Sequence, residues 1–405
     1  MFTVPGLCPV NNQGINMKKI VIAPDSFKGS LSSLEVATCI EKGIKRVLPQ
    51  AECVKVPMAD GGEGTVRSLV DAAGGKIIKK RVKGPSGKAV TARYGWLSEK
   101  RTAVIEMAEA SGLPLVDGRE KNPLKTTTFG TGQLMVDAIA RGAKEIILGI
   151  GGSATNDGGA GMAQALGVKF LSAAGREIKE MGSGGMLAKI QAIDITDLDA
   201  RVFETEILVA CDVKNPLYGK QGAARVFGPQ KGATPRMVEL LDGNLKHLSK
   251  LIRRDLKKDV AKMPGAGAAG GLGAGLVAFA GATLQSGVDI VLEKTELEKF
   301  LKGADLVITG EGRIDFQTAF GKTPSGVARA AKKYKVPVVA IGGALADDAH
   351  NVFVHGIDGI ASAVARDMSL EEAMRCTPQN LENVAERVIR MIQVGQNLAA
   401  RSRKT

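Results

Sequence analysis

Three stretches of this 405-residue chain set carboxylates among glycines: DGGEGT at residues 60–65, GGSATNDGGAGM at 151–162 and GEGRID at 310–315. Without a Cβ, glycine lets main-chain amides close on a charged ligand, and a carboxylate beside it suits a metal ion or a proton in transit. The chemistry such groups can do together is the cradling of a phosphate while acids hold a cation or take a proton. One motif of this kind is equally a turn that packs a helix tightly on a strand; three that mix acid with glycine point to a binding site. A fourth tract, GAGAAGGLGAG at 265–275, lacks acids and reads either as close helix contact or as more ligand-facing backbone. Its spacing Gly265-x-Gly267-x-x-Gly270 follows no strand, which argues against a dinucleotide fingerprint.

Apolar runs precede these residues and predict the strands that carry them. The run at 20–23 leads to Asp25, Ser26 and Lys28; that at 53–56 leads to Asp60 and Glu63; that at 145–148 leads to Gly151, Gly152, Ser153 and Asp157. The run at 207–210 leads to Asp212, Lys214 and Asn215, and that at 305–308 leads to Arg313 and Asp315. Helical apolar spacing follows several of the loops, as at Val36, Ile40 and Ile44. In open α/β sheets ligands gather at the carboxyl ends of strands, where all these side chains fall. The helix expected from the run at 162–166 would add its positive N-terminal end to the glycine loop. Bland alternatives stand beside each: Lys28 solvated while a serine caps the next helix, Asp60 and Glu63 favouring a helix dipole, Cys211 a small buried residue and not a nucleophile. Short alternating strands at 79–83, 90–96 and 102–107, with a turn at 84–87, mark a topological break and place a domain boundary there.

Composition removes other classes. No apolar run approaches the roughly 18 residues of a membrane span, so no membrane is expected. Five scattered cysteines and three histidines give neither a zinc site nor a disulfide framework, and the expected compartment is cytoplasmic. The formal charge of +13 owes much to residues 246–262, with seven Lys or Arg against two Asp, and to the tail at 401–404. With aromatics at 4%, that excess reads as helix surface and as attraction for small anions, not as a nucleic-acid site. Residues 1–16, rich in proline, asparagine and glycine, are expected to be a disordered leader before Met17. Gly321-Lys322-Thr323 imitates a Walker loop, but Phe316 stands where that motif needs glycine. Anion-cradling loops, acids for Mg²⁺ and lysines without a Walker loop suggest phosphoryl transfer.

The chain resembles the bacterial type-1 glycerate kinases from Met17 to about Arg390. The likeness is carried by APDSFKGSL from Ala23, PMADGGEGT from Pro57, GGSATNDGGAGM from Gly151, ACDVKNPLYG from Ala210, GAAGGLGAGL from Gly267 and GADLVITGEGRIDFQTAFGKTPSGVA from Gly303. Phe316 departs from the family, which more often has serine or glycine there. The resemblance implies ATP-dependent, Mg²⁺-assisted phosphorylation of D-glycerate, more often to 2- than to 3-phosphoglycerate, in the catabolism of organic acids. It also implies an α/β fold of two lobes with the active site in a cleft between them. One would be flavodoxin-like and built from both chain ends, residues 17–85 plus 285–405; the other, residues 86–284, would be an inserted α/β domain. The expected roles are Lys28 and Arg313 on the glycerate carboxylate or the transferring phosphate, and Asp212 or Asp315 as base or Mg²⁺ ligand. Ser26, Asp60 and Asp157 are expected at the substrate, and Gly151, Gly152, Ser153, Gly270 and Gly271 at the nucleotide. A homodimer is an admitted assembly. Competing readings are a metal-dependent phosphatase, a kinase of another short hydroxy acid, and a two-lobed sugar-acid sensor without turnover.

Overall fold

The computed structural model describes residues 17–62, 64–118, 121–319 and 321–402. The expected leader at 1–16, Glu63 and residues 403–405 of the basic tail lie outside them. The chain opens with strands β1 (Lys19–Ile22) and β2 (Glu52–Lys55). It continues through β3 (Lys76–Lys83), β4 (Ala89–Leu97), β5 (Thr102–Glu106), β6 (Glu145–Gly149), β7 (Lys169–Leu171), β8 (Ala192–Asp194), β9 (Glu206–Ala210) and β10 (Thr283–Gln285), and ends with β11 (Leu306–Ile314), β12 (Val338–Leu345) and β13 (Gly359–Ser362). It divides into two compact units: Met1–Val56 with Leu297–Thr405, and Pro57–Glu296.

The unit made from both chain ends is a parallel five-stranded sheet in the order β13-β12-β11-β1-β2. Counted within the unit this is 2-1-3-4-5 read from the other edge, the flavodoxin-like order whose switch point lies between its first and third strands. The strand β1 is KIVI, central in the sheet between β11 at Ile20↔Leu306 and β2 at Ile20↔Cys53, and its three apolar residues are buried because both faces of such a parallel sheet are covered. Ile20 and Ile22 pack with Ile40, Ile44, Ile308, Leu381 and Val388 in one core cluster. The helix Ser33–Lys45 starts at a full capping box, Ser32 with Glu35, so the sequence stops the preceding loop there and no further along.

The other unit holds the six-stranded sheet β10-β9-β6-β5-β4-β3. From β5 to β10 the neighbours run parallel, and β3, β4 and β5 are joined antiparallel. Ile105, Ile146, Leu148 and Val209 of these strands bury against Leu134, Leu272 and Leu276 of the covering helices. The α/β class is as expected, but the boundary at 85/86 is corrected. The turn at 84–87 closes the β3–β4 hairpin, paired from Lys76↔Trp96 to Lys83↔Ala89, inside this second sheet. Residues 57–85 therefore belong with it, and so do residues 285–296, since β10 pairs with β9 and its Gln285 lies opposite Ala210.

Candidate active site

In the inserted unit, the loops after β6 and β9 meet the DGG turn and the start of the helix Gly287–Lys294. They can meet only because side chains are missing. A Cβ on Gly149 would lie 2.7 Å from the Gly61 carbonyl oxygen, and one on Gly61, whose φ is +87°, would lie 2.6 Å from the Gly287 Cα. The result is a cavity of about 260 Å³ whose lining includes Asp60, Gly151, Gly152, Ser153, Asp212 and Lys231. Of the residues expected to share a site, these first five are brought together.

Asp212 stands one residue beyond β9, after Cys211, and its Oδ1 accepts the Gly287 amide at 3.1 Å. Burial pushes its carboxyl above the ordinary aspartate value, the Gly287 amide and the Ser286 side chain pull it back, and the negative charges of Asp60 and Asp289 push it up further. A carboxylate so placed has the raised proton affinity that suits a base. Asp60 holds its own turn, its Oδ1 accepting the Gly62 amide at 2.9 Å. The cavity's cation is one the sequence reading missed. Lys231 is 2% exposed, and its Nζ donates to Ser153 Oγ and to the Thr155 carbonyl, each at 2.7 Å. Burial presses its ammonium down to about 7, against the upward pull of the Asp157 charge.

Asp157 does not line this cavity, contrary to the expectation that it shares the site with Asp60. It is fully buried, and its carboxylate accepts four hydrogen bonds: from the Thr128 amide and hydroxyl at 2.8 Å each, from Gly159 N at 3.1 Å and from Gly161 N at 3.2 Å. Burial raises its carboxyl and these four donors restrain the rise. The leading amides of the helix Ala160–Ala165 are therefore used inside the protein, Ala160 N on the Asp157 carbonyl, Gly161 N on the Asp157 carboxylate and Met162 N on the Thr128 hydroxyl. Gly270 and Gly271, expected at the nucleotide, do not line the cavity either. Both are buried at positive φ, and a Cβ on Gly270 would lie 2.0 Å from the Thr155 carbonyl oxygen, so this pair packs against the glycine loop. Thr155 Oγ1 and both polar side-chain atoms of Asn156 are buried without a hydrogen-bond partner among the described residues.

In the unit built from the chain ends, the switch point between β1 and β11 gathers a second group. Asp25 is buried just past β1; its Oδ1 accepts the Ser26 amide at 2.6 Å and its Oδ2 accepts the Thr323 hydroxyl at 2.7 Å. Lys28 is exposed, and its amide lies 3.9 Å from where a Cβ on Gly312 of β11 would stand. Arg313 is exposed, with Nε 3.8 Å from Asp315 Oδ2. Two further members escaped the sequence reading. Glu311 is buried, accepts the Thr318 hydroxyl at 2.6 Å and has its carboxyl raised by that burial. Lys322 stands 3.5 Å from Glu311 and 3.9 Å from Asp315, so the residue that imitates a Walker lysine is a local counter-charge. Glu311 could have been found from its place inside GEGRID; nothing in GPQKGA signals that Lys231 is buried. Asp212 and Asp315 fall in different units, and among the described residues no three His, Cys, Asp or Glu form a metal cage. Mg²⁺ commonly takes only one or two carboxylates and completes its shell with phosphate and water, a demand that hard oxygen donors such as Asp212 and Asp60 meet.

The family model described as "Glycerate kinase family" matches residues 20–393. The chain is 54% identical over 372 residues to a glycerate kinase of Halalkalibacterium halodurans, covering 92% of this chain and 97% of that protein. It is 50% identical over 381 residues to the glycerate 2-kinase of Escherichia coli, covering 94% and 100% respectively. A crystal structure titled as a putative glycerate kinase 2 from Salmonella typhimurium LT2 superimposes with a TM-score of 0.87 at 50% identity, covering 94% of this chain and all of that one. With a family match across nearly its whole length and relatives at half identity end to end, this chain belongs to the glycerate kinase family.

Proposed function

We propose that this protein phosphorylates D-glycerate from ATP with Mg²⁺, giving 2-phosphoglycerate in the breakdown of organic acids. The observation that carries the reading is the cavity in the inserted unit, where the bare main chain of Gly151 and Gly152 lies with Asp60, Asp212 and a buried lysine. Phosphoryl transfer needs positioning and charge neutralisation more than covalent chemistry, and backbone amides, carboxylates and a cation are those parts. The loop amides and Ser153 would hold the phosphates, and Asp60 would hold Mg²⁺, leaving Asp212 free to act as base. When bound, Mg²⁺ supplies charge neutralisation at the phosphate oxygens.

Asp212 or Asp315 takes the proton from the attacking glycerate hydroxyl; burial favours Asp212 for that role. Lys28 and Arg313, both exposed, offer cations for the substrate carboxylate, with Ser26 as a hydroxyl partner. The Escherichia coli relative is a glycerate 2-kinase, which supports the 2-phosphate product. No helix of the described residues is long and apolar enough to cross a membrane; the proposed compartment is the cytoplasm, and a homodimer is the proposed assembly.

The test is to supply ATP, Mg²⁺ and D-glycerate and resolve the products by ³¹P and ¹³C NMR. Growth of a 2-phosphoglycerate signal supports the proposal. Release of inorganic phosphate without transfer would indicate a phosphatase, and binding without turnover a sensor.

A further inference from the structure

Lysine is almost never fully buried unless a partner compensates its charge. Lys231 is 2% exposed, lines the 260 Å³ cavity and anchors two of its three ammonium donors on neutral oxygens, Ser153 Oγ and the Thr155 carbonyl. The third donor has no protein acceptor among the described residues, and Asp157, itself saturated by four hydrogen bonds, acts on the ammonium only through space. A cation held in that way is incomplete: its direct contacts are neutral, and it is seated in the wall of a cavity built from open glycine backbone. An arriving phosphate supplies what is missing, a strong acceptor with negative charge in a site of low dielectric.

We infer that Lys231 is a catalytic residue of the phosphate site, its ammonium touching a phosphate oxygen of the nucleotide in the cavity and balancing the charge that builds during transfer. This rests on reading the cavity as the nucleotide site. Ser153 and Thr155 then fix the ammonium before the ligand arrives, so its orientation is set in advance. The group transferred and the bonds broken are those of the proposed kinase reaction, and Lys231 neither gains nor loses a covalent bond.

The test uses the full chain as Lys231→Met, Lys231→Arg and Gly151→Leu, with MgATP and D-glycerate binding measured separately by calorimetry alongside kcat and Tm. Gly151 is exposed on the cavity wall, so leucine there should block the cavity without straining the fold. Lys231→Met is expected to fold and to keep its D-glycerate affinity, to bind MgATP about tenfold or more weakly and to lose kcat, while Lys231→Arg regains much of the ATP affinity. If Lys231→Met binds MgATP and turns over within about twofold of the natural chain while Gly151→Leu does not bind, Lys231 is not that contact and the cavity reading stands. If Gly151→Leu also binds MgATP normally, both fall. Equal loss of both ligands, or a Lys231→Met chain that fails to fold while Lys231→Arg folds, makes the ammonium a structural tether and overturns the inference.

Discussion

The hydroxyl of Thr323 donates to Oδ2 of Asp25 over 2.7 Å, joining residues 298 positions apart at the switch point of the five-stranded sheet. One comes from the turn after the first strand, the other from the first turn of the helix Thr323–Lys333. Thr323→Val keeps the shape and removes the donor from a buried carboxylate. Unfolding in urea should show a loss of about 1–2 kcal/mol. An unchanged midpoint would mean that Asp25 replaces the bond with another partner.

Asp212→Asn retains the size of the side chain and removes its negative charge. With Asp212 as the base, kcat is expected to fall about 10²–10⁴-fold with Tm little changed. Activity within a few-fold of the natural chain would take Asp212 out of the mechanism and leave the role to Asp315.

Asp157→Ala is expected to damage the fold and not to act on one ligand. It strands the amides of Thr128, Gly159 and Gly161 and the Thr128 hydroxyl in a buried place, a loss of about 3 kcal/mol or more. Denaturant titration reads that loss. A stable Asp157→Ala chain with a selective defect in glycerate binding would restore Asp157 to the substrate site.

Lys231 gives a pH signature of defined sign. Its ammonium is pressed from the ordinary 10.5 to about 7 in the folded chain by burial. Below pH 7 both states carry the proton and the penalty for burying charge is complete. Between about 7 and 10.5 the unfolded chain holds a proton that the folded chain has released, so this group's contribution to stability improves as pH rises. The stability of Lys231→Met relative to the natural chain should therefore be most favourable below pH 7 and decline steadily towards pH 10.5. Asp157 is the nearby charge bearing on Lys231, and its own raised carboxyl titrates from the acid side with the opposite slope. A difference that stays flat across the alkaline range would place the Lys231 ammonium near its free value.

Much of this was legible in the sequence because strand tips and glycine loops are local features. The runs ending at Ala210 and Leu148 point to where Asp212, Gly151 and Ser153 stand, and the cavity gathers them with Asp60. What failed was tertiary. An acid behind glycines looks the same whether it faces a ligand or caps a helix, so Asp157 was misplaced; only its depth and four donors distinguish the cases. The β3–β4 hairpin marks a real break in pattern but not a domain edge: β4 and β5 form another local hairpin, and what ties all three to the second sheet is the pairing of β5 with β6, a segment far along the chain. Lys231 was invisible for the same reason, since a lone lysine in polar sequence is ordinarily solvated.

The placement of β1 between β2 and β11 has a consequence for how the molecule is made. Ile20 must wait for Leu306 as its neighbour, and at about 5–20 residues per second the ribosome delivers that neighbour roughly 15–60 s later. During that interval every residue of Pro57–Glu296 has been synthesised, while the apolar KIVI ribbon still has one bare flank. Nascent chains stalled before residue 306 should therefore be the form of this protein that most needs a chaperone, and the last hundred residues do not extend an existing body so much as close one begun at the start of translation.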